Sequence, residues 1–473
     1  MRALRPFALA LMIAASCAGG DGPPAPKAGE VDASFADGGL FAIDVDIVPG
    51  AAHWGSSAEF VATDATGKVW ATGGFEVGVA FAANSTKIPV PVSRTHAVVA
   101  RLMPDGRKDA AFGASGYLVD SPQGFQSQSG VEVAPLADGG ALLAEVAHGW
   151  DSFFPQLVPS GRAVRLGSRG VVDGSYGNGG AGVVGFERFM QAFVDAAGDV
   201  IFLGERRRET AQESFGYMEL RRFDARGDED AQFLHRGRAS LDCSLLPHQT
   251  VAWARAALQA DGKLLVAQVI GATADAPQRL CVSRLNPDGN LDTSYGSGGR
   301  VQIREWGLPR IAYLSGFSVA GDGRATLVLT VDRQDTLPLA GYIILSLTSL
   351  GEVDPSRYAG GGAGPWDHAV GWVLASAVQA DGKILVAGYR SDFSGEFRLE
   401  RLGVDGKPDQ GFGPGGTGIR SLDLPGWHLE PRYLHLADGA IFVAGRAVPL
   451  NGGADGTDRA RFAVLKLVGD PIP

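Results

Sequence analysis

The sequence predicts an all-β protein, a β-propeller of seven four-stranded blades closed by pairing its N-terminal strand with its C-terminal ones. Three observations carry that expectation: a glycine-centred hairpin that recurs seven times, an aspartate–aromatic loop that also recurs seven times, and an offset between the two series.

The hairpin is clearest in Gln259-Ala260-Asp261-Gly262-Lys263-Leu264-Leu265-Val266-Ala267 and Gln379-Ala380-Asp381-Gly382-Lys383-Ile384-Leu385-Val386-Ala387. Weaker copies surround Gly67, Gly139, Gly198, Gly323 and Gly439, at intervals of 72, 59, 64, 61, 59 and 57 residues. Fixed-period self-similarity of this length marks a repeat architecture. Asp precedes the glycine in five copies and Lys follows it in three, so glycine is the element common to all. A two-residue hairpin turn with positive φ is the expectation, for which Asp-Gly is a preferred pair. The flanking apolar runs are nearly continuous, which requires cover on both faces of each hairpin.

About thirty residues after each hairpin comes an Asp followed three residues later by Phe or Tyr. The copies are Asp109 and Phe112, Asp173 and Tyr176, Asp230 and Phe233, Asp292 and Tyr295, and Asp409 and Phe412, with one inserted residue in Asp354 and Tyr358. The seventh copy, Asp32 and Phe35, precedes every hairpin, whereas the last repeat ends at Arg461–Leu467, where its own copy should begin. A linear stack gains nothing from this permutation. A ring closes by it, because the first strand completes the last blade. Each repeat supplies about four strands, for example Val251–Gln259, Leu264–Ile270, Leu280–Leu285 and Arg300–Ile303. Four-stranded sheets repeated radially are propeller blades.

These motifs resemble the bacterial delta-60 repeat family over residues 31–473, most strongly in repeats four and six and least in three and five. The resemblance implies a propeller fold and an envelope setting. It implies no activity and no catalytic residues.

The N-terminus reads as an export signal over residues 1–16. Arg2 and Arg5 form a basic start, and Phe7 to Ala15 is apolar but too short for a permanent span. Ile13-Ala14-Ala15-Ser16-Cys17 is similar to the bacterial lipobox, which makes Cys17 the lipidation site, with an ordinary soluble periplasmic or secreted protein as the alternative. Ala18 is not the aspartate that retains lipoproteins in the inner membrane, so the outer membrane is the expected address. Residues 17–30, rich in Gly and Pro, form a tether, and the propeller occupies 31–473. The 473-residue chain holds 68 glycines, about twice the usual share, yet 45% of it is hydrophobic, so it is a folded protein rich in turns. A net charge of −10, without a basic stripe, argues against nucleic acid as a partner. A monomer is expected.

Candidate site residues are few. Cys243 and Cys281 could pair in an oxidising compartment or could simply be buried small hydrophobes. The seven loop aspartates could each hold calcium, but the dense oxygen spacing of an EF-hand is missing. They are better read as accepting backbone N–H bonds in a long turn while the aromatic plugs the gap between blades. His53, His248 and His368 each lie fourteen residues before a turn glycine, in blades one, four and six, and could converge on a divalent metal at the channel mouth. Otherwise each caps its own crossover or packs beside a nearby Trp. No phosphate loop, zinc spacing or nucleophile elbow is present. Two readings remain. The first is an envelope-anchored binding or scaffolding propeller that engages protein or glycan through its variable loop face. The second is an enzyme with its site at the channel mouth, where a metal could assist.

Overall fold

The computed structural model describes residues 27–43, 52–79, 92–120, 125–150, 157–209, 214–234, 238–241, 243, 250–271, 278–303, 311–331, 341–354, 370–390, 396–437, 439–450 and 459–470. The first strand, β1 (Leu40–Ile43), waits for the chain's end. Blade one is β2 (Ala52–Thr63), β3 (Val69–Val79), β4 (Val92–Leu102) and β5 (Tyr117–Asp120). Blade two is β6 (Phe125–Pro135), β7 (Ala141–Trp150), β8 (Leu157–Leu166) and β9 (Ala181–Gly185). Blade three is β10 (Arg188–Val194), β11 (Val200–Glu209), β12 (Ser214–Phe223) and β13 (Arg238–Leu241). Blade four is β14 (Val251–Leu258), β15 (Leu264–Ile270), β16 (Arg279–Leu285) and β17 (Arg300–Ile303). Blade five shows β18 (Ile311–Val319), β19 (Ala325–Val331) and β20 (Gly341–Leu347); the stretch after Asp354, with Tyr358, lies outside the described residues. Blade six is β21 (Val370–Val378), β22 (Ile384–Arg390), β23 (Phe397–Leu402) and β24 (Ile419–Ser421). Blade seven is β25 (Trp427–Ala437), β26 (Ala440–Pro449) and β27 (Arg461–Val468), with β1 as its outer strand.

Closure is antiparallel, pairing Leu40 with Leu465, Phe41 with Val464, Ala42 with Ala463 and Ile43 with Phe462. Leu40, Phe41 and Ile43 are buried, and Phe35 is fully so. The ring therefore closes through the segment whose sequence position was out of phase. Every residue of β15, β16 and β19 is buried, which explains why these runs do not alternate.

The turns differ from expectation in one respect. In blade four the Gly262 N–H donates to Gln259 O at 3.0 Å and the Gln259 N–H to Lys263 O at 2.8 Å. This is a three-residue loop, a type I turn followed by a left-handed glycine, not a two-residue turn. Only glycine takes positive φ, with values from 70° to 84° at Gly67, Gly139, Gly198, Gly262, Gly323, Gly382 and Gly439. The preceding Asp261 instead accepts the Lys263 N–H on its carboxylate at 3.1 Å.

The aspartate–aromatic loop joins neighbouring blades. Eight residues before each aspartate, on the penultimate position of the third strand, stand Arg101, Arg165, Arg222, Arg284, Ser346 and Arg401; Lys466 takes this place for Asp32. Ion pairs join Arg101 to Asp109 at 2.8 Å, Arg284 to Asp292 at 2.9 Å, Arg401 to Asp409 at 2.7 Å and Lys466 to Asp32 at 3.0 Å. The same guanidinium lies over the loop aromatic, 4.7 Å from Phe112, 4.5 Å from Tyr295 and 4.6 Å from Phe412. Its outer arm then reaches the next blade, from Arg101 to Ser168 O at 2.8 Å, Arg222 to Pro287 O at 3.0 Å and Arg284 to Ser349 O at 2.6 Å. The residue after the aromatic adds a backbone bond across the same seam, as in Gly113 to Arg169 O and Gly296 to Leu350 O. One arginine thus fixes its own loop and the neighbouring blade together.

Candidate functional site in the central channel

The first strand of each blade faces the axis. Six of these strands, among the described residues, carry a bulge seven or eight residues before the turn glycine, at Glu59, Val131, Met190, Ser315, Leu374 and Arg432. A bulge re-aims the following side chains. Just there the repeat loses its likeness. The position seven residues before the glycine is Phe60, Glu132, Gln191, Arg255, Gly316, Ala375 and Arg432 in blade order, and all seven line one cavity of about 700 Å³.

Several of these side chains are already committed to holding the ring. Gln191 accepts the Ala256 N–H at 2.8 Å and donates to Ala256 O at 3.2 Å, joining blades three and four. Glu132 accepts the Val194 N–H at 3.0 Å, joining blades two and three. The Phe60 and Tyr433 rings stack at 4.3 Å between blades one and seven, and His435 meets Thr63 Oγ1 at 3.1 Å. Glu59 accepts from Ser57 at 2.7 Å, and Arg432 pairs with Glu430 at 3.8 Å.

Arg255 is different. It is exposed to the lumen, yet it makes no hydrogen bond or ion pair among the described residues. The surrounding strands of the ring depress its pKa by restricting its hydration, with Tyr433 opposing that shift. Burial also raises the Glu132 carboxyl to about 8 against its Val194 bond, so the group is largely protonated at neutral pH. Tyr433 is pushed up by burial and by Glu132, with Arg255 opposing. At pH 7 the cavity therefore offers a guanidinium, a phenol and a neutral acid, all hydrogen-bond donors.

Two residues before Arg255, on the same face of β14, is Trp253. Its ring lies 4.9 Å from that of Tyr313 on β18, and both remain more than a third exposed. Both stand near the start of their strands, the end from which the crossovers arrive.

The residues singled out in the sequence have mixed fates. The aspartates are spent on backbone and basic partners: the Asp109 carboxylate accepts the Ala111 N–H at 3.0 Å, Asp173 that of Ser175 at 3.0 Å and Asp292 that of Ser294 at 3.0 Å. Among the described residues no group of three or more His, Cys, Asp and Glu side chains is placed to hold a metal. The expected divalent-metal ligands fall outside that set: His248 and His368 lie outside the described residues, and only the backbone of His53 is described, opposite Val77. The fourteen-residue count does not always mark one structural place, since the equivalent Val184 belongs to the outer strand β9. Cys17 is also outside the described residues. Cys243 and Cys281 are bonded, with Cα atoms 6.3 Å apart, and tie the chain after β13 to β16. The channel position was missed although it was countable. It differs from blade to blade, so a search for similarity passes over it.

Residues 259–295 and 379–412 match the family described as a domain of unknown function (DUF5122), beta-propeller. No curated protein matches the chain. Among solved structures, the chain is similar to the beta-propeller domain of the trilobed protease from Pyrococcus furiosus, at 9% identity and a TM-score of 0.43, over 89% of this chain and 95% of that one. Drosophila Semaphorin 2a aligns at 8% identity and 0.43, over 88% and 74%. The α-L-arabinofuranosidase Arb93A from Fusarium graminearum aligns at 10% and 0.38, over 91% and 98%. At such distances neither activity nor ligand carries over to this chain.

Proposed function

We propose that this protein is a binding propeller held at the bacterial cell envelope through a lipid on Cys17, and that it engages glycan at the channel end carrying Trp253 and Tyr313. The exposed aromatic pair is the observation that carries this reading. Aromatic rings left partly exposed beside a channel suit the apolar faces of sugar rings, with polar edges nearby for the hydroxyls. The invariant parts of the repeat are used structurally, as the aspartate loops illustrate, which leaves recognition to positions that vary between blades. Of the two partner classes open from the sequence, protein and glycan, the aromatic pair favours glycan.

Titration calorimetry with envelope oligosaccharides checks the binding. A saturable heat is expected for the mature protein, falling at least tenfold in affinity in Trp253→Ala with the melting midpoint unchanged. Binding confined to protein partners, or unaffected by this substitution, would reject the glycan reading. For the anchor, labelled palmitate is expected to enter the protein and to be lost in Cys17→Ser, with the variant recovered as a soluble species. Wild-type protein that takes up no label and is soluble would remove the anchor.

A further inference from the structure

We infer that the glycan is acidic, and that Arg255 receives a sugar carboxylate while Trp253 and Tyr313 stack on the ring. This inference rests on the glycan reading and deepens it.

A buried arginine is costly unless something pairs with it, whereas one left open to a lumen is available to an incoming anion. Arg284 and Arg401 illustrate the usual outcome, since each is buried with an aspartate against it. Arg255 lies within the ring of strands and has no such partner among the described residues. Its planar fork of donors matches a carboxylate. Trp253 and Arg255 are two residues apart on one strand face, about 7 Å along the strand, a spacing that lets one stack on a sugar ring while the other meets a carboxylate on an adjoining sugar.

The other charged or titratable groups facing the cavity are Glu59, Glu132, Arg432, Tyr433 and His435. Arg432 pairs with Glu430 at 3.8 Å, and Glu59 accepts from the neutral Ser57 hydroxyl at 2.7 Å, at the blade-one side of the cavity. Glu132 is the group whose charge changes near neutral pH, and burial keeps it protonated up to about pH 8. Acid binding should therefore hold below pH 8 and weaken above it, as the cavity gains a negative charge.

Trigalacturonate and its fully methyl-esterified form are the probes, titrated into the mature protein by calorimetry at pH 6.5. The acid is expected to bind at least tenfold more tightly than the neutral ester. Arg255→Met should erase that preference by weakening the acid far more than the ester, and Trp253→Ala should weaken both. Should Arg255→Met fail to fold, Arg255→Lys, which keeps the charge without the fork, is expected to retain only part of the preference. Raising the pH from 6.5 to 9 should lower acid affinity in the wild type and not in Glu132→Gln. Equal binding of acid and ester, or a preference that survives Arg255→Met, overturns the inference and leaves the glycan reading standing. No binding of either form also overturns it, and the glycan reading falls with it only if the neutral envelope oligosaccharides fail as well.

Discussion

Deleting Val31–Asp46 is expected to leave a protein that aggregates or melts more than about 10 °C below the full propeller. The segment carries β1 and the Asp32–Phe35 loop. Its removal uncovers the edge of β27, where Val464 and Leu465 have their backbone partners in Phe41 and Leu40. Leu40, Phe41, Ile43 and Phe35 are all buried, and each contributes roughly 1.5–3 kcal/mol, so together they approach a whole domain's stability. The Lys466–Asp32 pair goes with them, leaving Lys466 over the Phe442 ring without its carboxylate. An uncovered strand of this apolar character is also a template for intermolecular pairing. Phe41→Ala keeps the chain intact and should cost about 3 kcal/mol by cavity formation alone. Thermal melting followed by light scattering reads both variants. A truncated protein that melts unchanged and stays monodisperse would mean that the ring is not closed by this strand.

The parts of the fold that repeat were legible, and their boundaries came within a residue. The four strands expected in blade four are found as Val251–Leu258, Leu264–Ile270, Arg279–Leu285 and Arg300–Ile303. Repetition makes such elements readable because the same backbone requirement is imposed seven times. The turn type was misjudged because Asp-Gly also suits a type I turn followed by a left-handed glycine, and the residue count between the paired strands decides between them. The arginine of each clamp escaped notice despite its fixed spacing: Arg101, Arg165, Arg222, Arg284 and Arg401 all stand eight residues before their aspartates. Their strands read simply as apolar, and the partner groups on the next blade are about sixty-five residues away. The channel residues were hidden for the opposite reason. Glu132, Gln191 and Arg255 share a phase but no chemistry, and only ring closure brings them to one cavity.

Removing one member of a clamp is expected to cost far more than removing both. Arg284 and Asp292 are each over nine-tenths buried; the arginine contacts Tyr295 and Ser349 O of blade five, and Lys263 approaches the aspartate at 3.0 Å. Arg284→Met should destabilise the protein by about 3 kcal/mol, because a carboxylate is left in the seam with one partly exposed lysine as its cation. The double variant Arg284→Met, Asp292→Leu removes the stranded charge and should recover most of that loss, since apolar replacements of a buried pair are often close to neutral. Acid sensitivity follows from the same geometry. Burial works against the Asp292 carboxylate, but bonds from Ser294 and Lys263 and the nearby Arg284 outweigh it and hold its pKa below the usual range. Asp109 and Asp409 are lowered in the same way by their own clamps. A carboxylate with a depressed folded pKa stabilises fully above its unfolded value, about 3.9, and that stabilisation is lost as pH falls through the folded value. The wild type should therefore lose stability progressively below about pH 4, and the double variant should lose less over that interval because one such group is gone. Denaturant melts of the three proteins at pH 7 and pH 3 measure both effects. A single variant as stable as the double one at pH 7 would show that the stranded Asp292 carboxylate carries no penalty, and identical acid losses in all three would show that Asp292 is not held below its usual range.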